Sequence, residues 1–410
     1  MLTARLPRTF GGALGRIVHH PGLGRAVGAL VAVALLGRLV DAPIQALHGV
    51  GADYVSFATG ARILASGSTC LYCVPAQEHA QASVLGYWPP ASWTGFPHIY
   101  VNPPLAAWLL QPVAALPLAS GLGVFVVASV AALFAAARVL ERRLPRSLPE
   151  DRRRLLLIAA TASLPAATAV MLGQWDPFLL LATAGALWAL ESRRPVTAGL
   201  LLSVLLVKPQ LVWLLLPLLV AARAWRLAAG FSLGAIAWLA SSLLLVGPRQ
   251  LAQVVSLVRT HQTDEGPLSA GLPALAGHLG GDAVLVAAAL CAAAALAVTW
   301  RQRALLRRSA PAVTVSLGIC ASMVCAPHVF SDDLLLLAVP LVVLATRWHH
   351  AAIAAAIGLS AAFILDEWVV HLGPRWAEDA VVLAVAACLV RTQPAAPAGV
   401  PGDLAVASTA

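Results

Sequence analysis

The sequence predicts an all-α, polytopic membrane protein of about twelve membrane helices, with amphipathic or re-entrant helices in its outer loops. Three observations predict it. Of 410 residues, 60% are hydrophobic and only 11% are charged, against about 25% charged in soluble domains. Apolar runs of spanning length recur along nearly the whole chain, at a mean hydropathy of +0.83; a soluble chain of this size would divide into two or three domains instead. Of the 27 basic residues, 26 are Arg, and most sit in short loops between apolar runs. That is the positive-inside pattern, and it argues against a basic face for nucleic acid.

Taken in order, residues 1–25 carry Arg5, Arg8, Arg16 and Arg25 and read as a cytoplasmic tail. No A-x-A cleavage site follows the next apolar run, so 26–46 is expected to stay as the first span. A polar, Pro-rich outer loop follows over 47–103. Within it Tyr54, Phe57, Ala61 and Leu64 recur at helical spacing. That predicts an amphipathic helix over 54–66, lying at the membrane surface with Asp53 at its N-cap. Residues 104–117 form a short apolar piece, re-entrant or interfacial. Spans follow near 120–140, 154–172, 176–190, 196–207, 210–222, 227–246, 282–300, 311–327, 333–346, 350–367 and 378–391. A second large outer loop covers 247–281, and 393–410 is small, Pro-containing and expected to be disordered. The chain is thus one membrane domain over 26–392 with two tails.

Placing the N-terminus inside puts 21 of the 27 basic residues on the cytoplasmic side and returns the C-terminus there. The outer side then receives 13 of the 18 acids. Acids do not set topology, so their bias needs another cause, and a site on the outer face is one candidate.

Four polar features fall at that outer depth. Asp53 begins the predicted surface helix; it is either a capping residue or a general base that takes a proton from an attacking hydroxyl. Gly173-Gln174-Trp175-Asp176-Pro177 is a tight turn or a hydrogen-bonding corner for a sugar. Lys208-Pro209-Gln210 interrupts an apolar stretch from Val196 to Val220, so two half-length helices are expected to meet there. Lys208 is the sole lysine in the chain. An ionisable group at membrane depth costs a few kcal/mol unless partnered or wet, so Lys208 is a snorkelling residue or a phosphate contact. Cys325 to Asp333 holds His328, Asp332 and Asp333 in a turn between two spans. It is a capped polar turn, or a group able to bind phosphate, orient a sugar or move a proton. Two weaker features are Arg38 with Asp41, expected to pair within the first span, and Tyr100 to Pro104, where the prolines suit a helix start and Tyr100 and Asn102 are structural or touch substrate.

Cys291, Cys320, Cys325 and Cys388 lie in apolar segments as small core residues. Cys70 and Cys73 form a CxxC in the outer loop. No second CxxC or His pair completes a metal set, so a short disulfide or two free thiols is the expectation. There is no Walker A, no Gly-rich dinucleotide fingerprint and no DxD pair. No metal and no cofactor are expected.

The order of these features resembles the polytopic glycosyltransferases of family 87, which have the GT-C architecture and include polyprenyl-phosphate-mannose-dependent α-mannosyltransferases. The resemblance covers about 26–350. It rests on Asp53-Tyr54, Leu71-Tyr72, Tyr100 with Pro103-Pro104, Gly173-Gln174, Lys208-Pro209, and Ala326-Pro327-His328 with Asp333 before Leu-rich 334–339. It implies transfer of a sugar, mannose by resemblance, from a polyprenyl monophosphate carrier to a lipid or glycan acceptor on the outer face of the cytoplasmic membrane, with inversion. Asp53 would be the base. Lys208 and His328 would stabilise the leaving phosphate, Gln174 and Asp333 would orient sugar hydroxyls, and Tyr54 and Asn102 would touch substrate. The chain departs from the pattern at Asp176-Pro177, where an Asn-containing version is more usual, and at Asp332 and Asp333, where some relatives carry histidines.

Two other functions fit the same features in part. A transporter or lipid flippase would use the broken helix at Lys208 and the intramembrane Arg38/Asp41 pair, but the halves show no internal repeat. A non-catalytic membrane scaffold would tolerate replacement of Asp53.

Overall fold

Helices in lipid satisfy their backbone groups internally and turn apolar side chains outward. The computed structural model, which describes residues 52–88, 98–265, 269–366 and 375–391, shows that inversion. On helix Leu118–Glu141, Val124, Val127, Val130 and Phe134 recur on one face and are 47–70% exposed. On helix Gly281–Arg301, Val286, Leu290 and Val298 behave alike. Buried Asp, Glu and Lys lie in the interior instead.

In chain order the helices are α1 (Ala52–Ala65), α2 (Val74–Leu85), α3 (Pro104–Ala114), α4 (Leu118–Glu141), α5 (Glu150–Thr161), α6 (Leu164–Leu172) and α7 (Asp176–Glu191). Then come α8 (Pro195–Ser203), α9 (Leu215–Ala221), α10 (Trp225–Glu265), α11 (Gly281–Arg301), a single helical turn at Arg303–Leu306, α12 (Pro311–Cys325), α13 (Ala338–Ile364) and α14 (Trp376–Arg391). Among the described residues there is no β-strand, only an isolated bridge between Ala270 and Val329. Five helical stretches are long and apolar enough to cross a membrane: Leu118–Glu141, Glu150–Leu172, Trp225–Val258, Gly281–Arg301 and Ser331–Ile364. Pro104–Ala114, Pro195–Val207, Pro209–Ala221 and Pro311–Cys325 are shorter apolar helices. The protein is an all-α polytopic membrane protein. The expected span 26–46, with Arg38 and Asp41, and the tails 1–25 and 393–410 lie outside the described residues.

Several boundaries follow from identifiable residues. Ser163 caps α6, its hydroxyl accepting from the Ala166 amide at 3.4 Å, so the predicted span 154–172 is two helices in series. Gly247, at φ +77, and Pro248 kink α10 where the predicted span 227–246 ends, and the helix continues beyond the kink into the predicted second outer loop. Trp348 breaks α13 at the junction of the spans predicted at 333–346 and 350–367. Around Lys208 the regular helix gives way to two 3₁₀ turns, Val204–Val207 and Pro209–Leu211. Pro209 lacks an amide hydrogen and disfavours helical geometry at the residue before it, and Lys208 sits at φ −124°, ψ 78°.

The helix crossing of α8 and α10 is close because small residues face each other. A Cβ on Gly199 would meet the Leu227 carbonyl at 2.2 Å, and one on Gly230 would meet the Val196 carbonyl at 2.1 Å. At one end of the bundle the basic loops gather. Arg143 pairs with Glu191, and Arg307 reaches the Ala221 carbonyl at 3.4 Å.

The outer-loop layer differs from the expected surface helix. Helix α1 is buried on nearly every side from Tyr54 to Ala61, packed on α2 and α3. Its apolar spacing is helical as predicted, but Ser56, Thr59 and Gly60 fill the remaining faces with small groups, so neighbours close around it. Gly60 lies under the Tyr100 ring, 2.8 Å from where a Cβ would stand.

Candidate active site

The Leu71-Tyr72 and Tyr100 motifs shape one wall. The Gln77 side chain accepts from the Tyr100 amide at 2.7 Å and donates to the carbonyls of Tyr100 at 3.0 Å and Leu71 at 2.9 Å. It thereby holds two strips of loop together as a sheet partner would. Tyr72 stacks on Tyr100 and donates to the Asn102 carbonyl at 2.8 Å; Tyr100 donates to the Pro103 carbonyl at 2.8 Å. Burial raises both phenols above their ordinary pKa, so they stay neutral donors. Cys70 and Cys73 are joined in a disulfide one residue either side of Leu71-Tyr72, and the Tyr72 amide donates to Gln250 of α10 at 2.9 Å. This network fixes the chain on which Asn102 is carried.

Asn102 faces a cavity of about 300 Å³. Asp53, Ser56 and Phe57 of α1 line it, as do Ile99 and Val101, Gln174 between α6 and α7, Val207 to Gln210 at the broken helix, Val258 of α10, and Pro327, His328, Phe330 and Asp333. Asp53 stands in the first turn of α1, where a carboxylate meets the positive end of the helix dipole. Gln174 follows Gly173, whose φ of +74 closes α6 in a left-handed cap. Its Oε1 and the Nδ2 of Asn102 are buried without a hydrogen-bond partner. Buried polar atoms are rarely left so, and an acceptor and a donor on one small cavity suit a hydroxyl-rich ligand.

Six of the residues expected from the sequence therefore share this cavity: Asp53, Asn102, Gln174, Lys208, His328 and Asp333; Tyr100 stays buried in the wall behind it. Tyr54 does not line it either. It is 1% exposed, packs on Phe125 at 5.5 Å between ring centroids, and donates to the Val113 carbonyl at 3.4 Å. Gly121 and Gly173 make room for it; a Cβ on Gly173 would stand 2.6 Å from Tyr54 Cβ. Helical geometry sends Tyr54 away from the face that carries Asp53 and Phe57, so the Asp-Tyr element splits into a cavity residue and a packing residue.

Lys208 carries more than was expected of it. Its Nζ lies 2.7 Å from Asp176 Oδ2, 3.1 Å from Asp332 Oδ2 and 2.6 Å from Asp333 Oδ1. The ammonium is thus spent on three buried carboxylates, which qualifies its role as a phosphate contact. Asp333 also accepts from the Phe330 amide at 2.8 Å, tying the turn to itself. The three acids present oxygens within 4.8 Å of one another, a spacing that suits a metal ion, and Lys208 Nζ sits among them as a cation built into the chain. Asp176 and Asp332 stood inside candidate features of the sequence, but neither was given a role of its own. The one signal was that a lone intramembrane lysine needs acidic partners. Both places where the chain departs from the resemblance pattern, Asp176 and Asp332-Asp333, meet on this one ammonium.

The family model of glycosyltransferase family 87 matches residues 100–327, more than half of the chain. The chain belongs to glycosyltransferase family 87. It is accordingly a membrane glycosyltransferase, which sets aside the transporter and scaffold alternatives. Neither a curated protein nor a solved structure matches the chain. The matched stretch contains Asn102, Gln174 and Lys208, while Asp53, His328 and Asp333 lie outside it and line the same cavity.

Proposed function

We propose that this membrane glycosyltransferase moves a sugar, mannose by resemblance, from a polyprenyl monophosphate carrier to a hydroxyl of a lipid or glycan acceptor, with inversion, on the outer face of the cytoplasmic membrane. One observation carries the reading: the six polar residues expected from the sequence, drawn from segments between positions 53 and 333, line one small cavity. Asp53 takes the acceptor's proton as the acceptor oxygen bonds to the anomeric carbon. The bond from that carbon to the phosphate oxygen breaks, and the electron pair leaves with the polyprenyl phosphate. Asn102 and Gln174 supply a donor and an acceptor for sugar hydroxyls. His328, which lines the cavity, meets the leaving phosphate, while Lys208 is engaged by three acids. Lys208 acts through Asp333, holding that carboxylate against the cavity. A cavity of about 300 Å³ suits a single sugar with its phosphate, at the small end of ligand sites. The Cys70–Cys73 disulfide supports the outer side, because such bonds persist in oxidising compartments.

The test is transfer by the purified protein from polyprenyl-phosphate sugars to candidate acceptors, wild type against Asp53→Asn. Loss of a general base lowers the rate by roughly 10²–10⁴-fold, so Asp53→Asn is expected to fall by at least about 100-fold with its fold intact. Normal transfer by Asp53→Asn removes the base assignment. No transfer by wild type from any carrier removes the donor assignment.

A further inference from the structure

The turn 326–333 carries His328 and Asp333 to the cavity; its backbone is irregular as far as Phe330 and enters a 3₁₀ helix at Ser331. Irregular backbone at membrane depth persists where neighbouring groups satisfy and hold it. On the cavity side Lys208 holds Asp332 and Asp333. On the far side the holding groups come from the start of α14, beyond the stretch that the family model matches.

Ser331 is 3% exposed, and its hydroxyl donates to Glu378 Oε2 at 2.9 Å while accepting from Arg375. Arg375 and Glu378 form an ion pair at 3.8 Å. Asp366, at the end of the preceding helix, caps α14 by accepting from the Glu378 amide at 3.0 Å. One residue further, Asp379 Oδ1 accepts from the Gly271 amide at 2.7 Å. Gly271 is wedged against the start of the same turn; at φ +105, a Cβ there would stand 2.9 Å from the Ala326 carbonyl. Its neighbours bond to the turn as well. The Ala270 amide donates to the Val329 carbonyl at 2.7 Å, and the Val329 amide donates to Ser269 Oγ at 2.7 Å. None of Ser269 to Gly271, Ser331, Arg375, Glu378 or Asp379 lines the cavity.

We propose that the first turn of α14 is a clasp that sets the position of the active-site turn, with Glu378 and Asp379 as positioning residues acting through Ser331 and through Gly271. Glu378 and Arg375 grip the turn directly. Asp379 grips the second outer loop, which is bridged to the residue between His328 and Phe330. The two grips fall just after His328 in sequence, at Val329 and at Ser331. This inference rests on the proposed transfer reaction for its kinetic consequence, but its structural content does not.

The experiment compares Ser331→Ala and Asp379→Ala with Asp379→Asn and wild type, each reconstituted in lipid nanodiscs. Asp379→Asn keeps an oxygen that accepts from the Gly271 amide. Three readouts are taken: thermal unfolding, backbone amide exchange along the chain, and donor KM and kcat for sugar transfer. A displacement near 1 Å can cost on the order of 100-fold in rate. Both alanine variants are therefore expected to lose about 10–100-fold in kcat/KM, with exchange at 326–333 accelerated by about 10-fold or more and exchange in α4 and α11 unchanged. Asp379→Asn is expected to match wild type. Unchanged exchange at 326–333, acceleration spread over the whole chain, or wild-type kinetics in the alanine variants each overturn the clasp. If wild type transfers nothing, the proposed donor chemistry falls, and the exchange pattern alone decides the clasp.

Discussion

The three carboxylates on Lys208 set the energetics of the site at the scale of a residue. Breaking a buried pair by removing one partner leaves uncompensated charge and costs about 3–5 kcal/mol. Lys208→Met should therefore destabilise by about that amount or more, measured by denaturant or thermal unfolding in micelles, because three acids lose their shared cation at once. Asp332→Asn should cost about 1 kcal/mol or less. Its contact is the longest of the three at 3.1 Å, and three acids facing one ammonium repel one another. Equal losses in the two variants would mean that Lys208 is not the hub. The importance of Lys208 was legible in the sequence from its being the sole lysine, before a proline, inside an apolar stretch. Its partners were not, because they lie 32, 124 and 125 positions away and no local pattern links them. The Asp-Tyr element failed in the other direction. Adjacent residues on a helix point about 100° apart, and here Asp53 faces the cavity while Tyr54 turns into the packing against Phe125.

At the scale of an element, apolar runs and breakers gave most of the helices, with the largest gains where proline or glycine interrupts them. Pro209 marks a break that appears where expected, whereas Gly247-Pro248 only kink α10 at the end of the predicted span, and the helix runs on to Glu265 in place of the start of the expected loop. The buried setting of α1 was not legible, since periodicity reports which residues could share a face, and small residues such as Gly60 let other faces be covered too. The crossing of α8 and α10 offers a test of such small-residue packing. A side chain at position 230 would collide with backbone, the Val196 carbonyl, not with a side chain able to turn away. Gly230→Leu should thus force the helices apart and lower stability by about 1–3 kcal/mol or more, the range for overpacked sites. The same change at Gly123, where nothing stands within 4 Å of a Cβ, should be tolerated. Comparison of folded yield and melting temperature for the two variants checks this, and equal behaviour would remove the close crossing as the cause.

Sidedness belongs to the whole molecule. The Arg count places the loops holding Arg143, Arg193, Arg223 and Arg307 together, and in the structure Arg143 pairs with Glu191 while Arg307 reaches Ala221, so those loops do share one end. The cavity, the disulfide and the clasp are built from the loops and turns assigned to the other side of the membrane. The charge pattern is a statement about inside and outside; the disulfide is a separate chemical statement about redox compartment. If the proposed outer placement holds, the two must agree in living cells. A membrane-impermeant maleimide should leave Cys70 and Cys73 unlabelled until an impermeant reductant is added, and then label both. Cysteine introduced by Ser309→Cys, in the basic loop between α11 and α12, should stay unlabelled in intact cells and react once the membrane is permeabilised. Labelling of position 309 from outside, with Cys70 and Cys73 protected, would invert the protein. The proposed reaction would then have to draw its donor from the cytoplasmic leaflet.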